Sequence, residues 1–222
     1  MRKNNIIGVV AIKGGVGKSQ ISFQLAARFT QDGQKVLLVD TDRQQTSYAL
    51  ADIRKETKLT KFDSISLFDM EVRKKIISLR NKYDIIIIDV GASDSESLRA
   101  ALSVCDVIIS PVVPASESIW SLDNKLIPLI EELKQVNPDL MAYSFINQAP
   151  SQGRDEEATI EYLKSKTNIK YIGSSLKLRT AFKNSVTLGK CINELKGKFK
   201  DKKAISEFEN LFYNIKKVLK LI

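Results

Sequence analysis

The sequence contains no histidine and only two cysteines, Cys105 and Cys191. Without histidine, no imidazole is available as a general base or a metal ligand near neutral pH. Two isolated cysteines support neither a disulfide framework nor a metal cluster, and we expect both to be buried thiols of a cytosolic protein. Any chemistry must therefore come from carboxylates, hydroxyls, amines and the backbone.

Long apolar runs are missing as well. No stretch approaches the roughly 20 apolar residues needed to span a bilayer. The basic opening, MRKNNIIGVVAIKGG, has an apolar run too short for a signal peptide and leads directly into a glycine-rich loop. With 222 residues, 43% of them hydrophobic, we expect one well-filled cytoplasmic domain over residues 1–222.

The net charge of +9 is unevenly distributed. Residues 1–150 contain 19 basic and 18 acidic residues, net +1, whereas residues 151–222 contain 16 and 8, net +8. Such asymmetry is typical of contact with nucleic acid or with an anionic membrane surface, although lysine-rich solvated helix faces give the same pattern. Charge alone leaves these interpretations open.

Five continuous apolar runs predict strands that are buried on both faces of a parallel sheet: 6–12, 36–39, 85–88, 107–109 and 141–146. Segments with helical spacing lie between them: 19–31, 44–56, 70–81, 95–104 and 121–135. Beyond residue 150 the pattern predicts a helix after a polar loop, a short strand near Tyr171, and helices near 178–187 and 205–221. This alternation predicts a doubly wound α/β fold, a mostly parallel sheet with helices on both faces and ligands at the carboxyl ends of the strands.

A glycine-rich loop, AIKGGVGKSQ, connects the first predicted strand to the first predicted helix. The usual phosphate-loop pattern has glycine where Ile12 stands, so the strict pattern fails. Four matched positions still favour a phosphate cradle over a simple turn, because the glycines let backbone N–H groups converge at a helix N-terminus. We expect Lys18 to reach the β- and γ-phosphates and Ser19 to bind Mg²⁺. The other predicted nucleotide-binding residues of the loop are Gly14, Gly15, Val16, Gly17 and Gln20.

A second lysine, Lys13, distinguishes this loop. The stretch KGGVGKS resembles the deviant Walker A motif of the ParA/MinD superfamily of P-loop ATPases, and in particular the ParA branch. The resemblance implies ATP and Mg²⁺ as cofactors and a sandwich homodimer when ATP is bound. It also implies that Lys13 reaches across the dimer to phosphates held by the other subunit, whereas Lys18 serves its own ATP.

Three aspartates at the ends of predicted strands extend the resemblance. VLLVDTDRQQT is similar to the family's D-x-D-P-Q element, which implies that Asp42 orients the attacking water and that Asp40 supports the metal site. YDIIIIDVGASDSESLRAAL resembles a Walker B strand, which implies that Asp89 holds Mg²⁺ through water and that Gly91 lies near the γ-phosphate. A single aspartate would more simply be a turn residue or a helix cap. Three at successive strand ends favour phosphoryl transfer to water.

Later segments carry the resemblance over nearly the whole chain. IISPVVP and FINQ follow the fourth and fifth predicted strands, and the second implies that Asn147 contacts adenine. LRTAFKNSVTLGKCINE resembles the family's R-x-x-Y-x-x-A-x-x-x-G-x-x-V-x-E segment. Three positions depart from the family pattern: Arg43 replaces a proline, Gln20 a threonine and Ser118 an aspartate. We expect hydrolysis to be slow without a stimulating partner.

The resemblance also gives the basic last third a function. ParA proteins bind DNA without sequence preference as ATP dimers, and phosphate contacts make such binding sensitive to salt. The implied contacts include Arg179, Lys183, Lys198 and Lys200. The implied activity is partition of a plasmid or chromosome on the nucleoid, with hydrolysis stimulated by a centromere-binding ParB-type protein or a small adaptor.

Two alternatives remain open. The tail AISEFENLFYNIKKVLKLI places apolar residues on one helical face and lysines off it, and a basic amphipathic helix can lie on an anionic bilayer as in a MinD-like switch. The same stripe is what a last helix needs to pack against a sheet, so we favour packing and expect no membrane partner. The other alternative is a nucleotide-gated DNA-binding scaffold with little ATPase activity.

Overall fold

The computed structural model describes residues 5–69, 71–91, 96–152 and 154–222. Within them, one sheet contains seven strands: β1 (Ile6–Val9), β2 (Val36–Asp40), β3 (Asp63–Ser66), β4 (Ile85–Asp89), β5 (Val107–Val112), β6 (Met141–Ala149) and β7 (Lys170–Lys177). Their order is β3-β2-β4-β1-β5-β6-β7, and all neighbours are parallel. Because β1 lies in the middle, the loop that follows it opens at the centre of the carboxyl edge of the sheet.

Helices cover both faces of the sheet. Those of the described residues are α1 (Lys18–Gln31), α2 (Thr46–Lys55), α3 (Glu71–Leu79), α4 (Glu96–Leu102), α5 (Ser116–Ser121), α6 (Ile127–Val136), α7 (Asp155–Lys164), α8 (Thr180–Thr187) and α9 (Lys202–Val218). One buried apolar cluster lies under α1, α2, α8 and α9, and a second lies under α3, α4, α6 and α7. The predicted doubly wound fold is therefore confirmed.

The central strands are buried along their whole length. Every residue of β1, β2 and β4 is buried, as expected for β-branched runs covered by helices on both faces. The strand that the sequence pattern missed is β3, whose sequence DSIS is only partly buried and pairs with β2 alone at the sheet edge. An edge strand of this kind carries almost no apolar signal.

Several predicted boundaries differ from the structure. The strand predicted over 107–109 continues to Val112, and the one predicted near Tyr171 is the eight-residue β7. The helix predicted from residue 121 begins at Ser116 and passes through a π-helical turn, Leu122–Leu126, into α6. Its first turn, SESI, contains one apolar residue and therefore carries no apolar period. The first residues of the helices predicted over 70–81 and 95–104 lie outside the described residues.

The last helix packs into the core, as predicted. Phe208, Leu211 and Ile215 of α9 are fully buried, and the ring of Phe212 meets that of Phe29 on α1 edge to face, with centroids 4.7 Å apart. Each such side chain stabilises the fold by roughly 2 kcal/mol. None of the helices in the described residues combines the length and apolar character that crossing a bilayer requires.

Candidate active site

The loop between β1 and α1 takes a conformation that requires glycine. Gly15 and Gly17 have φ angles of 78° and 93°, in the left-handed region that side chains disfavour. A Cβ atom on Gly17 would lie 2.5 Å from Asn147 Nδ2, whereas one on Gly14 or Gly15 would meet nothing within 4 Å. The loop is therefore closely packed at Gly17, whereas the space beside Gly14 and Gly15 is open.

The start of α1 is prepared for an anion. The helix begins at Lys18 without a side-chain cap, and its first turn contains no acidic residue. The first N–H groups of a helix lack intrahelical partners and carry a partial positive charge. A phosphate group at this position would accept hydrogen bonds from them.

Two amides of β6 support the loop from the side. The buried Asn147 donates from Nδ2 to the carbonyl oxygen of Val16 at 2.7 Å. The adjacent Gln148 donates from Nε2 to the carbonyl oxygen of Gly15 at 3.1 Å. In this structure the amide nitrogen of Asn147 therefore holds the loop, and the predicted contact with adenine stays a prediction.

The two lysines of the loop lie in different surroundings. Lys18 is buried, and burial lowers its pKa against the opposing charges of Asp89 and Asp42. Lys13 is exposed, and its Nζ lies 2.5 Å from Oε2 of Glu117 on α5. The hydrogen bond from Lys13 holds the pKa of Glu117 below its usual value. Lys18 thus faces the interior of the site, and Lys13 faces its outer rim.

Asp40 and Asp89 are direct neighbours across β2 and β4, where both strands end. Burial, followed by the charge of Asp40, raises the pKa of Asp89 to about 7, and the nearby hydroxyls of Ser19 and Ser47 act in the opposite direction. Oδ1 of Asp89 accepts a hydrogen bond from Ser22 at 3.3 Å. Its buried Oδ2 has no hydrogen-bond partner among the described residues. A buried carboxylate oxygen without a partner is a ligand available to a cation.

Asp40 shapes the turn that follows β2. Oδ1 accepts the backbone N–H of Asp42 at 2.9 Å. Oδ2 accepts the Ser47 hydroxyl at 2.9 Å and the Tyr48 N–H at 3.0 Å, at the start of α2. With both oxygens bonded by the protein, Asp40 could support a metal site through its charge and its hold on this turn.

Asp42 lies at the mouth of the site, partly exposed. Its Oδ1 accepts the backbone N–H of Gln44 at 3.0 Å, which fixes the side chain in a tight turn. A Cβ atom on Gly91 would lie 3.5 Å from the Cα atom of Asp42, an ordinary van der Waals distance. Gly91, which follows β4, therefore lies beside the turn that carries Asp42, and a carboxylate is held beside the opening.

Two of the departures noted in the sequence have visible contacts. The side chain of Arg43 is 76% exposed, pairs with Asp69 at 3.2 Å and lies over the Phe68 ring. It extends along the surface at β3. Ser118 is buried, and its hydroxyl accepts the backbone N–H of Val113 at 3.2 Å.

The residues at the edge of the sheet fit a magnesium ion. Mg²⁺ prefers oxygen ligands and is usually held by one or two carboxylates together with substrate phosphates and water. The unpartnered oxygen of Asp89 and the Ser19 hydroxyl beside it supply such donors. The described residues contain no group of three or more His, Cys, Asp or Glu side chains that would form a complete metal cage, so phosphate oxygens would have to complete the coordination.

A family model described as the CobQ/CobB/MinD/ParA nucleotide binding domain matches residues 7–218. The chain belongs to this family. The maintenance of carboxysome distribution protein A of Halothiobacillus neapolitanus is 26% identical over 193 residues, which cover 85% of this chain and 87% of that protein. The site therefore belongs to a domain of the ParA/MinD nucleotide-binding family.

Solved structures agree in fold. A putative plasmid partition protein of Borrelia burgdorferi bound to AMPPNP has a TM-score of 0.71 and 23% identity over 97% of this chain and 99% of that one. MinD of Pyrococcus horikoshii complexed with Mg-ADP has a TM-score of 0.71 and 20% identity over 96% of each chain. This ParA/MinD-family chain therefore shares its overall fold with these proteins.

Some residues that build this ParA/MinD-type site were not found from the sequence. Thr41 donates from both its N–H and its hydroxyl to the Asp89 carbonyl, at 3.0 and 3.1 Å, and ties β2 to β4. The sequence did contain a signal for Ser47, because a hydroxyl near the start of a helix commonly forms a local hydrogen bond. It contained no signal for Gln148 or Glu117, because their contacts depend on which strand and which helix flank the loop.

The four predicted DNA-binding residues do not share one environment. Lys183 on α8 and the pair Lys198 and Lys200 are exposed. Arg179 is instead bound to Glu207 of α9, with the closest N–O distance 2.6 Å, and its side chain is 24% exposed. The structure therefore separates an internally paired arginine from the exposed lysines.

Proposed function

We propose that this chain is a ParA-type ATPase that partitions a plasmid or a chromosome. In this proposal Mg-ATP joins two copies into a sandwich dimer, the dimer binds double-stranded DNA without sequence preference, and hydrolysis releases it. The observation that supports the proposal most is the convergence at one sheet edge of an uncapped helix N-terminus, the buried Lys18 and the unpartnered oxygen of Asp89.

The phosphates would lie on the loop N–H groups and on Lys18. Burial removes water from this lysine and lowers its pKa. An anionic phosphate beside it would favour its charged form and raise the pKa again. Ser19 and Asp89 would hold Mg²⁺. The bound ion would supply charge neutralisation of the phosphate oxygens during phosphoryl transfer.

The attacking water would be oriented by Asp42. Its partly exposed carboxylate lies beside Gly91 and is held by the turn that Asp40 organises. In this arrangement Asp40 is a positioning residue, because it fixes the backbone of Asp42 through the 2.9 Å hydrogen bond.

Dimerisation would depend on Lys13. Its contact with Glu117 is on the surface, and exposed ion pairs of this kind are weak, so the lysine can leave it to reach a phosphate held by the second copy. We expect Lys13→Ala to abolish ATP-dependent dimers on a sizing column while ATP binding is retained. Dimers that persist in this variant would overturn the role.

Binding of random-sequence duplex DNA with ATP, with ADP and without nucleotide tests the proposal as a whole. We expect binding that requires ATP and weakens with salt. If the protein binds no DNA in any of the three states, the proposed role in partition is contradicted. Binding to anionic vesicles with ATP would then test the MinD-like alternative. The burial of the apolar face of α9 in the core supports DNA over a membrane as the surface.

A second candidate is a nucleotide-gated DNA-binding scaffold with little ATPase activity. It is favoured by Arg43, which stands in the turn beside Asp42 and is held at the surface by Asp69. Single-turnover hydrolysis with DNA and a ParB-type or small adaptor partner separates the two candidates. Phosphate release supports the ATPase, and its absence with ATP bound supports the scaffold.

A further inference from the structure

Asp42 begins a four-residue β-turn. The N–H of Gln45 donates to the carbonyl oxygen of Asp42 at 2.9 Å, so Arg43 is the second residue of this turn. Neither Arg43 nor Gln44 has a positive φ, which fits a type I turn and excludes type II. Proline is favoured at the second position of such a turn because its ring fixes φ near the required value. An arginine leaves φ free, so other contacts must hold the turn.

The side chain of Arg43 supplies such contacts. Its Nη2 atom donates to both carboxylate oxygens of Asp69, at 3.2 and 3.4 Å, and its guanidinium lies 5.6 Å from the centroid of the Phe68 ring. Both partners belong to the segment that follows β3. The N–H of Leu67 ties that segment to β2 by donating to the carbonyl oxygen of Asp40 at 3.0 Å. Arg43 therefore connects the turn to a neighbouring segment that is itself fixed on the sheet.

Asp69 is held in place independently of Arg43. Its N–H donates to the hydroxyl of Ser97 at 2.6 Å, and the same hydroxyl donates to its Oδ1 atom at 3.3 Å. Ser97 is buried in the first turn of α4. The φ of Asp69 is 54°, in the left-handed region that aspartate and asparagine tolerate better than most side chains. The Asp69 carboxylate is thus a fixed partner for the guanidinium.

The contact between Arg43 and Asp69 bridges two parts of the site. Asp42 follows β2, and α4 is the helix that follows β4, the strand ending in Asp89. Asp69 lies between them and contacts both sides, through Arg43 and through Ser97. The position of the Asp42 turn relative to the metal-site strand therefore depends in part on this ion pair.

We propose that the Arg43–Asp69 pair is a salt-sensitive tether that positions Asp42 for hydrolysis. This inference rests on the proposed function and adds a positioning residue to it. A proline ring would restrain the turn under all conditions. The tether consists of side chains that are 76% and 54% exposed, and such a pair weakens as salt screens its charges. The fraction of molecules with Asp42 in place therefore falls as salt rises.

The first test measures amide hydrogen exchange of residues 41–48 by mass spectrometry, without nucleotide. Three N–H groups of the turn donate to Asp40 or Asp42, so their exchange reports opening of the turn. At low salt we expect R43Q and D69N each to speed this exchange about threefold, as for the loss of an exposed ion pair. At high salt the difference from wild type disappears. Unchanged exchange in both variants would overturn the proposal.

The double variant R43Q/D69N tests whether the two residues act as one pair. Asparagine tolerates the left-handed backbone at position 69, so D69N removes the charge and keeps the local conformation. If the pair provides the restraint, the double variant exchanges at the rate of either single variant, because the second substitution has nothing left to break. Effects that multiply would show that the two residues act separately, and they would overturn the tether.

The matched control is K55Q. It breaks another exposed ion pair, in which Nζ of Lys55 lies 2.7 Å from Oδ1 of Asp52 at the far end of α2. It removes one positive charge, as R43Q does. We expect residues 41–48 of this variant to exchange as in wild type. Faster exchange in K55Q equal to that of R43Q would attribute the effect to total charge and contradict the tether.

R43P replaces the tether by a ring. Among the described residues the backbone N–H of Arg43 donates no hydrogen bond, so the ring removes none. Proline at a compatible position restricts the chain, and we expect R43P to exchange more slowly than R43Q at every salt concentration. Its response to salt should match that of R43Q/D69N. A response as large as that of wild type would show that salt acts elsewhere than on the pair.

Single-turnover hydrolysis separates positioning from ATP binding. The tether contacts the turn that carries Asp42 and not the phosphate loop. We therefore expect R43Q and D69N to slow the hydrolysis step about threefold at low salt while affinity for Mg-ATP is unchanged. At high salt R43P should be faster than wild type. Weaker ATP binding with an unchanged hydrolysis step would contradict the positioning role.

Failure of the inference and failure of the proposed function give different results. A wild type that binds ATP but hydrolyses none, even with DNA and a partner, contradicts the ATPase, whereas hydrogen exchange still tests the tether. A wild type that hydrolyses ATP while R43Q and D69N match it in exchange and in rate contradicts only the tether.

Discussion

The carboxyl edge of the sheet and a lysine-rich turn, residues 196–203 with the sequence KGKFKDKK, use charge in opposite ways. At the edge, Lys18, Asp40 and Asp89 are buried, with Asp40 and Asp89 opposite each other on neighbouring strands, and burial lowers the pKa of Lys18 and raises that of Asp89. In the turn, five lysines are exposed and unpaired within the described residues. Buried charges depend on specific partners and on pH, whereas exposed charges respond mainly to salt. We therefore expect a single substitution to disrupt the nucleotide site, whereas the properties of the turn depend on its total charge.

The largest effect is expected at a buried ion pair that belongs to neither region. Arg54 of α2 is 1% exposed and binds Glu194 through two hydrogen bonds, at 2.8 and 3.0 Å. Removing one partner of such a pair leaves an uncompensated buried charge, so we expect Glu194→Ala to lower the free energy of unfolding by about 3–5 kcal/mol. Urea unfolding measures this. A loss below about 1 kcal/mol would mean that the arginine is reached by water, contrary to its burial.

The next effect concerns pH and Asp89. Its pKa is raised to about 7, so the folded chain holds a proton that the unfolded chain has already lost. Stability from the neutral carboxyl is complete near pH 4 and decreases as pH rises towards 7. In Asp89→Asn this loss is absent, and we expect the variant to be more stable than wild type by about 3 kcal/mol at pH 6 without nucleotide or metal.

Urea unfolding at pH 4 and pH 6 measures the difference for Asp89→Asn. The comparison between the two pH values controls for packing, because the substitution changes shape equally at both. A constant difference would show that the carboxyl is ionised throughout. Mg²⁺ should reverse the order, since the metal stabilises the ionised carboxylate of wild type and has no such ligand in the variant.

The third effect separates the two lysines of the loop. Lys18 is buried at the start of α1 and Lys13 is exposed. We expect Lys18→Met to weaken ATP binding about 100-fold, as for losing a charge-assisted hydrogen bond in a desolvated site. Lys13→Met serves as the matched control and should keep the affinity of the monomer. Calorimetric titration with ATP and Mg²⁺ measures both, and equal losses would contradict the division of roles.

The buried half of this contrast could be predicted from the sequence. The runs VLLVD and IIIID and the glycine loop predicted functional residues at successive strand ends, and in the structure Asp40 and Asp89 are direct neighbours in the sheet. The strand order itself was not predicted, because apolar runs show that both faces of a strand are covered but not which strands pair. The edge strand β3 escaped because its polar residues carry no such pattern.

The environment of the exposed basic residues could be predicted only in part from the sequence. Charge counts located the basic third but gave Arg179 and Lys198 equal weight. Their difference depends on α9, which returns to place Glu207 beside Arg179 and leaves Lys198 without an acidic partner. Pairing across distant elements is a property of the fold, and residue spacing within one segment cannot reveal it.

The smallest effect is expected at the rim of the site, where Lys13 meets Glu117. Both side chains are exposed, 44% and 78%, and a surface pair of this kind contributes little to stability. We expect Glu117→Gln to leave the melting temperature unchanged and to keep ATP-dependent dimerisation, because its partner would be needed by a phosphate in the dimer and not by the glutamate. Sizing chromatography with ATP, beside Lys13→Ala, measures this. Loss of dimers in Glu117→Gln would assign the glutamate a role at the dimer contact. The rim of the site would then depend on specific charge partners, as the buried edge of the sheet does.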